Sequence, residues 1–310
     1  MAGKILDRAD DFDAAAPAAA LAPGLSDADA EAHVTAVTKA SGTSFYWAMR
    51  ILPPERRLAM FAIYAFCREV DDIADDPAPA RDKRERLDAW RAEIDRVYGL
   101  QAGSLALTAR ALARAVRDYG LAREDFHAVI DGMEMDVNTF IRAPSLAELE
   151  TYCNRVAGAV GLLSIRVFGA TEPQARDFAL ALGTALQLTN ILRDLRQDAE
   201  MGRLYLPREM LVARGIASDS PDEVLRHPAL PAVCRDVAAL ARTRYREADA
   251  ARAACRPEPL RPAVVMMKNY QLVLERLCLG GWRDLDAPVR VSKPAKLWIA
   301  FRYGILHGLG

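Results

Sequence analysis

Apolar residues recur along most of the chain at intervals of three or four positions, which is the spacing of amphipathic α-helices. Capping residues and prolines bound these segments, and strand patterns are nearly absent. The predicted helices lie at 27–40, 54–76, 81–98, 105–119, 122–135, 145–168, 174–199, 231–254, 262–279 and 294–306. The pattern therefore predicts an all-α fold in which short loops join the helices into one bundle.

The loops show no shift in composition, so we expect a single domain that spans residues 26–310. Ser26 followed by Asp29 matches a capping box that would open the first helix. Residues 1–25 include an alanine- and proline-rich stretch and are predicted to be disordered. Aspartates interrupt this N-terminal part, so it does not have the pattern of a signal peptide.

Charge and cysteine content narrow the class of protein. Lysine plus arginine total 41 and aspartate plus glutamate 42, so the formal charge is −1. A balanced charge provides no global field that would attract nucleic acid, and we expect no nucleic-acid partner. The five cysteines are widely spaced and form no CxxC pair, which argues against a zinc site or a disulfide framework. Reduced cysteines are typical of a cytoplasmic protein.

The densest charge pattern is "YAFCREVDDIADD" at residues 64–76, which places four aspartates and a glutamate within eight positions. At 100° per residue, one face of the predicted helix carries Tyr64, Arg68, Asp71 and Asp75, and Asp72 lies in the neighbouring row. A solvated helix end is the ordinary explanation of such a run. However, the C-terminal end of a helix disfavours negative charge, and the apolar neighbours indicate burial. We therefore expect a positively charged ligand here.

A second acidic run, "LQLTNILRDLRQD" at residues 186–198, has the same character. One helix face is predicted to carry Gln187, Asn190, Asp194 and Asp198. The last two aspartates repeat the four-residue separation of Asp71 and Asp75. A single pair of this kind is common on surface helices, whereas two pairs on apolar helices, each with arginine or amide neighbours, indicate one shared site.

Facing carboxylates inside a helical bundle cannot stay ionised without compensation. Mg²⁺ ions, or Mn²⁺ in their place, would supply it, because Mg²⁺ prefers oxygen ligands and keeps positions open for substrate phosphate oxygens. Such ions polarise a diphosphate leaving group. Arg68, Arg193 and Arg203 could complete the neutralisation through forked hydrogen bonds. A di-iron bundle would need ExxH motifs, and none of the four histidines lies beside either run.

Five blocks of the chain resemble the squalene and phytoene synthases over residues 35–300. These blocks are "SGTSFYWAMRILP" (41–53), "YAFCREVDDIADD" (64–76), "YCNRVAGAVG" (152–161), "LTNILRDLRQDAEMGRLYLP" (188–207) and "RVSKPAKL" (290–297). The first two look most like the bacterial presqualene diphosphate synthases of the hopanoid pathway. The resemblance implies an all-α, isoprenoid synthase type bundle around a deep central cavity.

The resemblance also implies roles for individual residues, carried over by matching motifs. The metal ligands would be Asp71, Asp72, Asp75, Asn190, Asp194 and Asp198. The residues that contact or surround diphosphate would be Tyr64, Arg68, Arg193, Arg203, Tyr205 and, near the C-terminus, Arg290. The lid beside the first diphosphate would include Ser44 and Phe45, and the residues near the reacting carbons would be Tyr152 and Gln187. Ser41 departs from the family, because some relatives carry a histidine there.

The implied reaction is the head-to-head (1'-2-3) condensation of two farnesyl diphosphates to presqualene diphosphate, without a requirement for NADPH. Within the family, a phytoene synthase would instead use geranylgeranyl diphosphate, and a squalene synthase would continue to squalene with NADPH. A head-to-tail prenyl elongase would normally show DDxxD, and a non-catalytic helical interaction protein would not need the arginines. The C-terminal segment 296–310 is either an interfacial helix in peripheral membrane contact or a terminal helix docked on the core.

Overall fold

The computed structural model describes residues 26–41, 45–101, 103–138, 141–286, 289, 292, 298–299 and 301–303. Within these residues the regular structure is helical, and the β-type pairing consists of one isolated parallel bridge between Arg142 and Leu204. The prediction of an all-α fold is confirmed. The predicted disorder of residues 1–25 falls outside the described residues.

The helices follow one another through short connections. Their bounds are α1 Asp27–Ala40, α2 Phe45–Arg50, α3 Pro54–Asp75, α4 Ala80–Val97, α5 Leu107–Tyr119, α6 Arg123–Asn138, α7 Leu146–Cys153, α8 Ala159–Phe168, α9 Pro173–Arg193, α10 Leu195–Glu200, α11 Arg208–Ala213, α12 Pro221–Arg226, α13 Leu230–Arg252 and α14 Pro257–Gly280. The predicted segments from 27–40 to 262–279 are thus helical, with ends displaced by a few residues. The last predicted helix lies mostly outside the described residues, although 298–299 and 301–303 are helical.

Local sequence signals explain where the helices begin. The capping boxes of Ser26 with Asp29 and of Ser145 with Glu148 are both formed, so each serine and its acidic partner satisfy backbone N–H groups of a first turn. Pro54 occupies the first turn of α3, where a missing N–H costs nothing. The short helices α2, α11 and α12 were not predicted, because six residues are too few to show a helical period.

Two segments that were predicted as continuous helices are interrupted. Residues Asn154–Gly158 form a π-helical turn between α7 and α8. The neighbouring α9 approaches this turn closely, and a Cβ atom at Gly183 would lie 2.8 Å from the backbone of Ala157 and Gly158. Asp194 leaves helical geometry (φ −105°, ψ 17°), so the predicted segment 174–199 is divided into α9 and α10. Both interruptions fall beside predicted site residues, as π-turns often do.

The helix contacts bring the ends of α3 and α9 to a common region. α3 packs against α1, α5, α6 and α8, whereas α9 packs against α13, α14, the π-turn and α8. An aromatic cluster of Phe66, Trp90 and Phe126, with ring centroids 5.2 and 5.3 Å apart, fixes α3 to α4 and α6. α8 therefore contacts both helices that carry the acidic runs.

Candidate active site

The C-terminal end of α3 holds the first acidic run, and cations from several segments surround it. Arg68 donates from Nε to the Asp72 carboxylate at 3.0 Å, and Arg86 of α4 donates to Asp76 at 2.6 Å. The hydrogen bond from Arg86 holds the pKa of Asp76 below its ordinary value. Lys83 Nζ donates to the carbonyl of Ala74 at 3.0 Å, where the last turn lacks backbone donors. These cations offset the unfavourable dipole at this helix end.

The sequence placed Arg68 in the same row as Asp71 and Asp75, but its guanidinium lies against Asp72 in the neighbouring row. The reason is the i,i+4 spacing, which brings a long side chain over the residue one turn ahead. Asp71 itself is buried, with 2% of its surface exposed. The arginine that contacts Asp75 comes from a distant part of the chain.

Arg203 is that arginine, and it forms a buried ion pair with Asp75. Its NH1 atom donates to Asp75 Oδ1 at 2.6 Å, and its NH2 atom donates to the Ala74 carbonyl at 2.9 Å. The exposed fractions of the two side chains are 3% for Arg203 and 8% for Asp75. In addition, the Arg203 N–H donates to the carbonyl oxygen of Asp198 at 2.9 Å. One residue therefore connects the first acidic run to the end of the second.

The second acidic run lies at the junction of α9 and α10 and is buried throughout, with Gln187, Asn190, Asp194 and Asp198 each less than 9% exposed. Asn190 Nδ2 donates to Gln187 Oε1 at 3.4 Å, so these amides lie on one face. Asp194 accepts two hydrogen bonds from the preceding residue, Arg193, both at 2.7 Å. This pair of adjacent residues lies at the point where α9 ends. The N–H of Asp198 still bonds to the Asp194 carbonyl, which keeps the two carboxylates about one turn apart.

Tyr152 and Tyr205 form a stacked pair beside these residues, with ring centroids 5.1 Å apart and an angle of 23°. Both hydroxyls donate to Asp136 of α6, at 3.0 Å from Tyr152 and 2.5 Å from Tyr205. Burial raises the pKa of Tyr152 well above its ordinary value, and the charges of Asp136 and Asp198 add to this shift. The tyrosine pair therefore borders the second acidic run.

Asp136 is a residue that the sequence analysis missed. It lies on the buried face of α6, three residues after Met133 and seven after Val129, and its side chain is fully buried. An aspartate on the apolar face of an amphipathic helix was the available signal, since such a group needs partners. Asp131 and Glu134 precede it, but Asp136 has no acid four residues away, which is the spacing that marked the other two runs.

The remaining predicted residues are more dispersed. Tyr64 is buried in the middle of α3, two turns before Asp71. Phe45 begins α2 and meets the ring of Tyr270 edge-on, with centroids 6.2 Å apart. The Ser41 hydroxyl donates to the Thr38 carbonyl at 2.8 Å, so it satisfies a backbone acceptor in the last turn of α1. Ser44 and Arg290 lie outside the described residues.

The arrangement of the donor side chains decides what kind of ion they could bind. In the described part of the chain, no three side chains among histidine, cysteine, aspartate and glutamate converge where they could hold an ion alone. Instead, each acidic run presents two or three oxygen donors along one helix end. Mg²⁺ is commonly bound in this manner, by one or two carboxylates together with water and phosphate oxygens. Cys67 offers no thiolate, because burial and then the charge of Asp71 raise its pKa. The donors fit a hard ion shared with a diphosphate.

None of the helices in the described part of the chain combines the length and the apolar character that crossing a bilayer requires.

Comparison with known proteins agrees with these features. The family model described as "Squalene/phytoene synthase" matches residues 38–294. The presqualene diphosphate synthase of Sinorhizobium fredii is 46% identical over 280 residues, which cover 90% of this chain and 99% of the relative. The enzyme of the same name from Rhodopseudomonas palustris is 44% identical, covering 86% of this chain and 95% of the relative. A crystal structure of a dehydrosqualene synthase superposes with a TM-score of 0.77 at 26% identity, covering 92% of this chain and 98% of the other. The chain therefore belongs to the squalene/phytoene synthase family.

Proposed function

We propose that the protein is a prenyltransferase that joins two molecules of farnesyl diphosphate head to head (1'-2-3) to give presqualene diphosphate and free diphosphate. The observation that carries this proposal is the convergence of two acidic runs on one buried region. This chain also aligns over nearly the full length of two relatives that are named presqualene diphosphate synthase. The reaction would supply squalene or hopanoid synthesis.

The acidic runs would hold Mg²⁺, for which Mn²⁺ could substitute. Asp71 and Asp75 would bind ions at the end of α3 with Asp72 adjacent, and the ligands at the α9–α10 junction would be Asn190, Asp194 and Asp198. When bound, the ions neutralise and polarise the diphosphate so that it can leave.

The arginines of the site would complete the recognition of diphosphate. Arg68 and Arg193 each lie beside a proposed metal ligand, and 15% and 14% of their side chains are exposed. A diphosphate shared with those ligands would come within reach of both guanidinium groups. Guanidinium forks bind phosphate oxygens in pairs, which orients the leaving group as well as neutralising it.

The carbon chemistry follows from departure of the first diphosphate, which leaves an allylic cation at C1. The 2,3 double bond of the second prenyl chain attacks that carbon, and loss of one proton closes the cyclopropane. Apolar side chains around the reacting carbons would have to exclude water, which would otherwise trap the cation as an alcohol. The released diphosphate would accept the proton, either directly or by a relay in which the Tyr64 hydroxyl takes it up and gives its own proton to the diphosphate, since carboxylates that bind metal are poor bases.

The test is incubation of the purified protein with farnesyl or geranylgeranyl diphosphate, with and without NADPH, followed by mass spectrometry and a pyrophosphate assay. We expect presqualene diphosphate from farnesyl diphosphate, independent of NADPH, and no turnover in excess EDTA. A C40 product would assign a phytoene synthase instead, and NADPH-dependent squalene would assign a complete squalene synthase. Absence of pyrophosphate release from either substrate would favour a non-catalytic helical interaction protein.

The metal assignment predicts the effect of removing one carboxylate from each run. Asp71→Asn or Asp194→Asn should abolish turnover with little change in helical circular dichroism, because asparagine keeps the shape and loses the charge. Asp236→Asn is the matched control, since Asp236 pairs with Arg214 on the surface. Turnover close to that of the wild type in both site variants would refute the metal assignment.

We further propose a cytoplasmic location with peripheral contact to the inner face of the membrane, which would receive the apolar product. Trp298 and Phe301 are 58% and 44% exposed, their rings lie 6.2 Å apart, and Arg302 stacks on Tyr303 beside them. Aromatic side chains next to a cation are typical of an interfacial segment.

Flotation with liposomes of phosphatidylcholine and phosphatidylglycerol tests this contact. The double variant Trp298→Ala with Phe301→Ala should lose flotation, whereas Val212→Ala, which removes another exposed apolar side chain on α11, should retain it. Equal flotation of all three proteins, or of none, would contradict membrane contact through these residues.

A further inference from the structure

Asp136 of α6 is a hydrogen-bond partner that the two stacked tyrosines share. Its Oδ2 atom accepts from Tyr152 at 3.0 Å and its Oδ1 atom accepts from Tyr205 at 2.5 Å. These tyrosines come from α7 and from the loop that follows α10, so one carboxylate joins three segments. A fully buried carboxylate is costly unless several donors stabilise its charge.

We propose that Asp136 is a positioning residue for the condensation: it fixes the hydroxyls of Tyr152 and Tyr205 and links them, through Arg203, to the acidic end of α3. This inference rests on the proposed function, because it concerns the rate of the same reaction. Asp136 would act through the tyrosines and would not touch the substrate.

The hydrogen bonds set the direction and the electron density of the phenols. A hydroxyl that donates to a carboxylate points its proton away from the rest of the site and leaves its oxygen and its ring more electron-rich. Electron-rich rings attract cations, and the proposed reaction forms an allylic cation. The stacked geometry of the two rings allows little rotation, so the carboxylate fixes both at once.

Arg203 connects this group to the first acidic run. Its Nε atom lies 4.0 Å from Asp136 Oδ1, while its NH1 atom donates to Asp75 at 2.6 Å. One buried guanidinium therefore faces two buried carboxylates, and the position of each depends on the other. A movement of Asp75 would be transmitted to the tyrosine pair through Arg203 and Asp136.

The first test is Asp136→Asn, which keeps the shape of the side chain and can still accept one hydroxyl but removes the charge. We expect kcat for presqualene diphosphate to fall roughly 10- to 100-fold, as when a partner that orients a ligand is removed. KM for farnesyl diphosphate should stay within about twofold, because the loss would occur in the transition state rather than in binding. Asp131→Asn is the matched control: Asp131 lies on the same helix and pairs with Arg91 near the surface, and its replacement should leave kcat unchanged.

The second test is a double-mutant cycle with Tyr152→Phe and Tyr205→Phe, each of which deletes one hydroxyl. If Asp136 acts through these hydroxyls, their removal should reduce kcat less in the Asp136→Asn background than in the wild type. A reduction confined to KM, a kcat equal to that of the wild type, or effects that simply multiply would each overturn the proposal.

Should Asp136→Asn fail to fold, the two phenylalanine variants carry the test alone. Wild-type kcat in both would then overturn the proposal, whereas a lower kcat at unchanged KM supports it. The wild-type protein separates this result from the proposed function. If it makes no presqualene diphosphate, the proposed function fails; if it does and Asp136→Asn is equally active, only the positioning role fails.

Discussion

Removal of the Arg203 guanidinium should destabilise the protein through Asp75. In Arg203→Met the aliphatic volume is largely retained, while the Asp75 carboxylate keeps its buried place and loses the donor at 2.6 Å. The same change removes one of the two donors to the Ala74 carbonyl, the guanidinium at 2.9 Å, and leaves Lys83 Nζ at 3.0 Å. A buried charge left without its partner is the main cost, because neither water nor another guanidinium replaces the contact at once.

The size of the effect follows from the burial of the pair. With 3% and 8% of the side chains exposed, the pair belongs to the buried class, for which removal of one partner costs about 3–5 kcal/mol. Arg214 and Asp236 form the comparison, since this pair is joined by two hydrogen bonds, at 2.7 and 2.8 Å, but its side chains are 45% and 31% exposed. An exposed pair contributes roughly 0–1 kcal/mol.

The assay is urea unfolding followed by circular dichroism, in EDTA, for the wild type, Arg203→Met and Arg214→Met. A cycle with Asp75→Asn isolates the pair, because the arginine should matter less once the carboxylate is neutral. Mg²⁺ should raise the stability of Arg203→Met more than that of the wild type, since an ion at Asp75 would supply the missing charge. Equal losses in the two methionine variants, or an additive cycle, would refute the reasoning.

Two further predictions concern the scaffold. Hydrogen bonds from Arg256 lower the pKa of Glu172 to about 2 from 4.5, so this contact stabilises the fold above pH 4.5 and its contribution is lost as the pH falls towards 2. The unfolding midpoint of Glu172→Gln should be below that of the wild type near neutral pH and should converge with it in acid. A difference between the two midpoints that stays constant with pH would contradict this. Gly183→Ala should lower the free energy of unfolding by about 1–3 kcal/mol, because the added Cβ would lie 2.8 Å from the backbone of the π-turn. Gly280→Ala is the control: its Cβ meets nothing within 4 Å, so the change should be neutral or slightly stabilising. Equal melting temperatures for the two variants would refute the packing argument.

Helix spacing was sufficient to predict the parts of the site that depend on one helix at a time. Asp71 and Asn190 are buried because each lies on the apolar side of a long helix, and that side can be read from the spacing of apolar residues. The interruption at Asp194 could not be read in the same way. No proline or glycine marks it, so the local sequence carries no signal that the helix is interrupted there.

Contacts between distant segments could not be predicted from the sequence for a different reason. Arg203 and Asp75 are separated by 128 positions, and no local pattern in either segment indicates that the two would meet. Asp136 was missed because one acid on an apolar face has the same local pattern as many structural aspartates. Tyr152, Tyr205 and Arg203 come together around Asp136 only once α6, α7 and the loop after α10 are packed together.

The three arginines beside the acidic runs differ in how readily they can change partners. Arg68 binds Asp72, one helical turn ahead, and Arg193 binds the adjacent Asp194. Both arginine side chains reach solvent. Water can therefore reach both guanidinium groups while they exchange a carboxylate for a diphosphate, at a lower cost than for a fully enclosed pair. Arg203 is enclosed and is held by a carboxylate and a carbonyl at the same time. Its release would take a charged donor at 2.6 Å away from the buried Asp75 carboxylate, so it should remain in place throughout the reaction while the other two turn to the substrate.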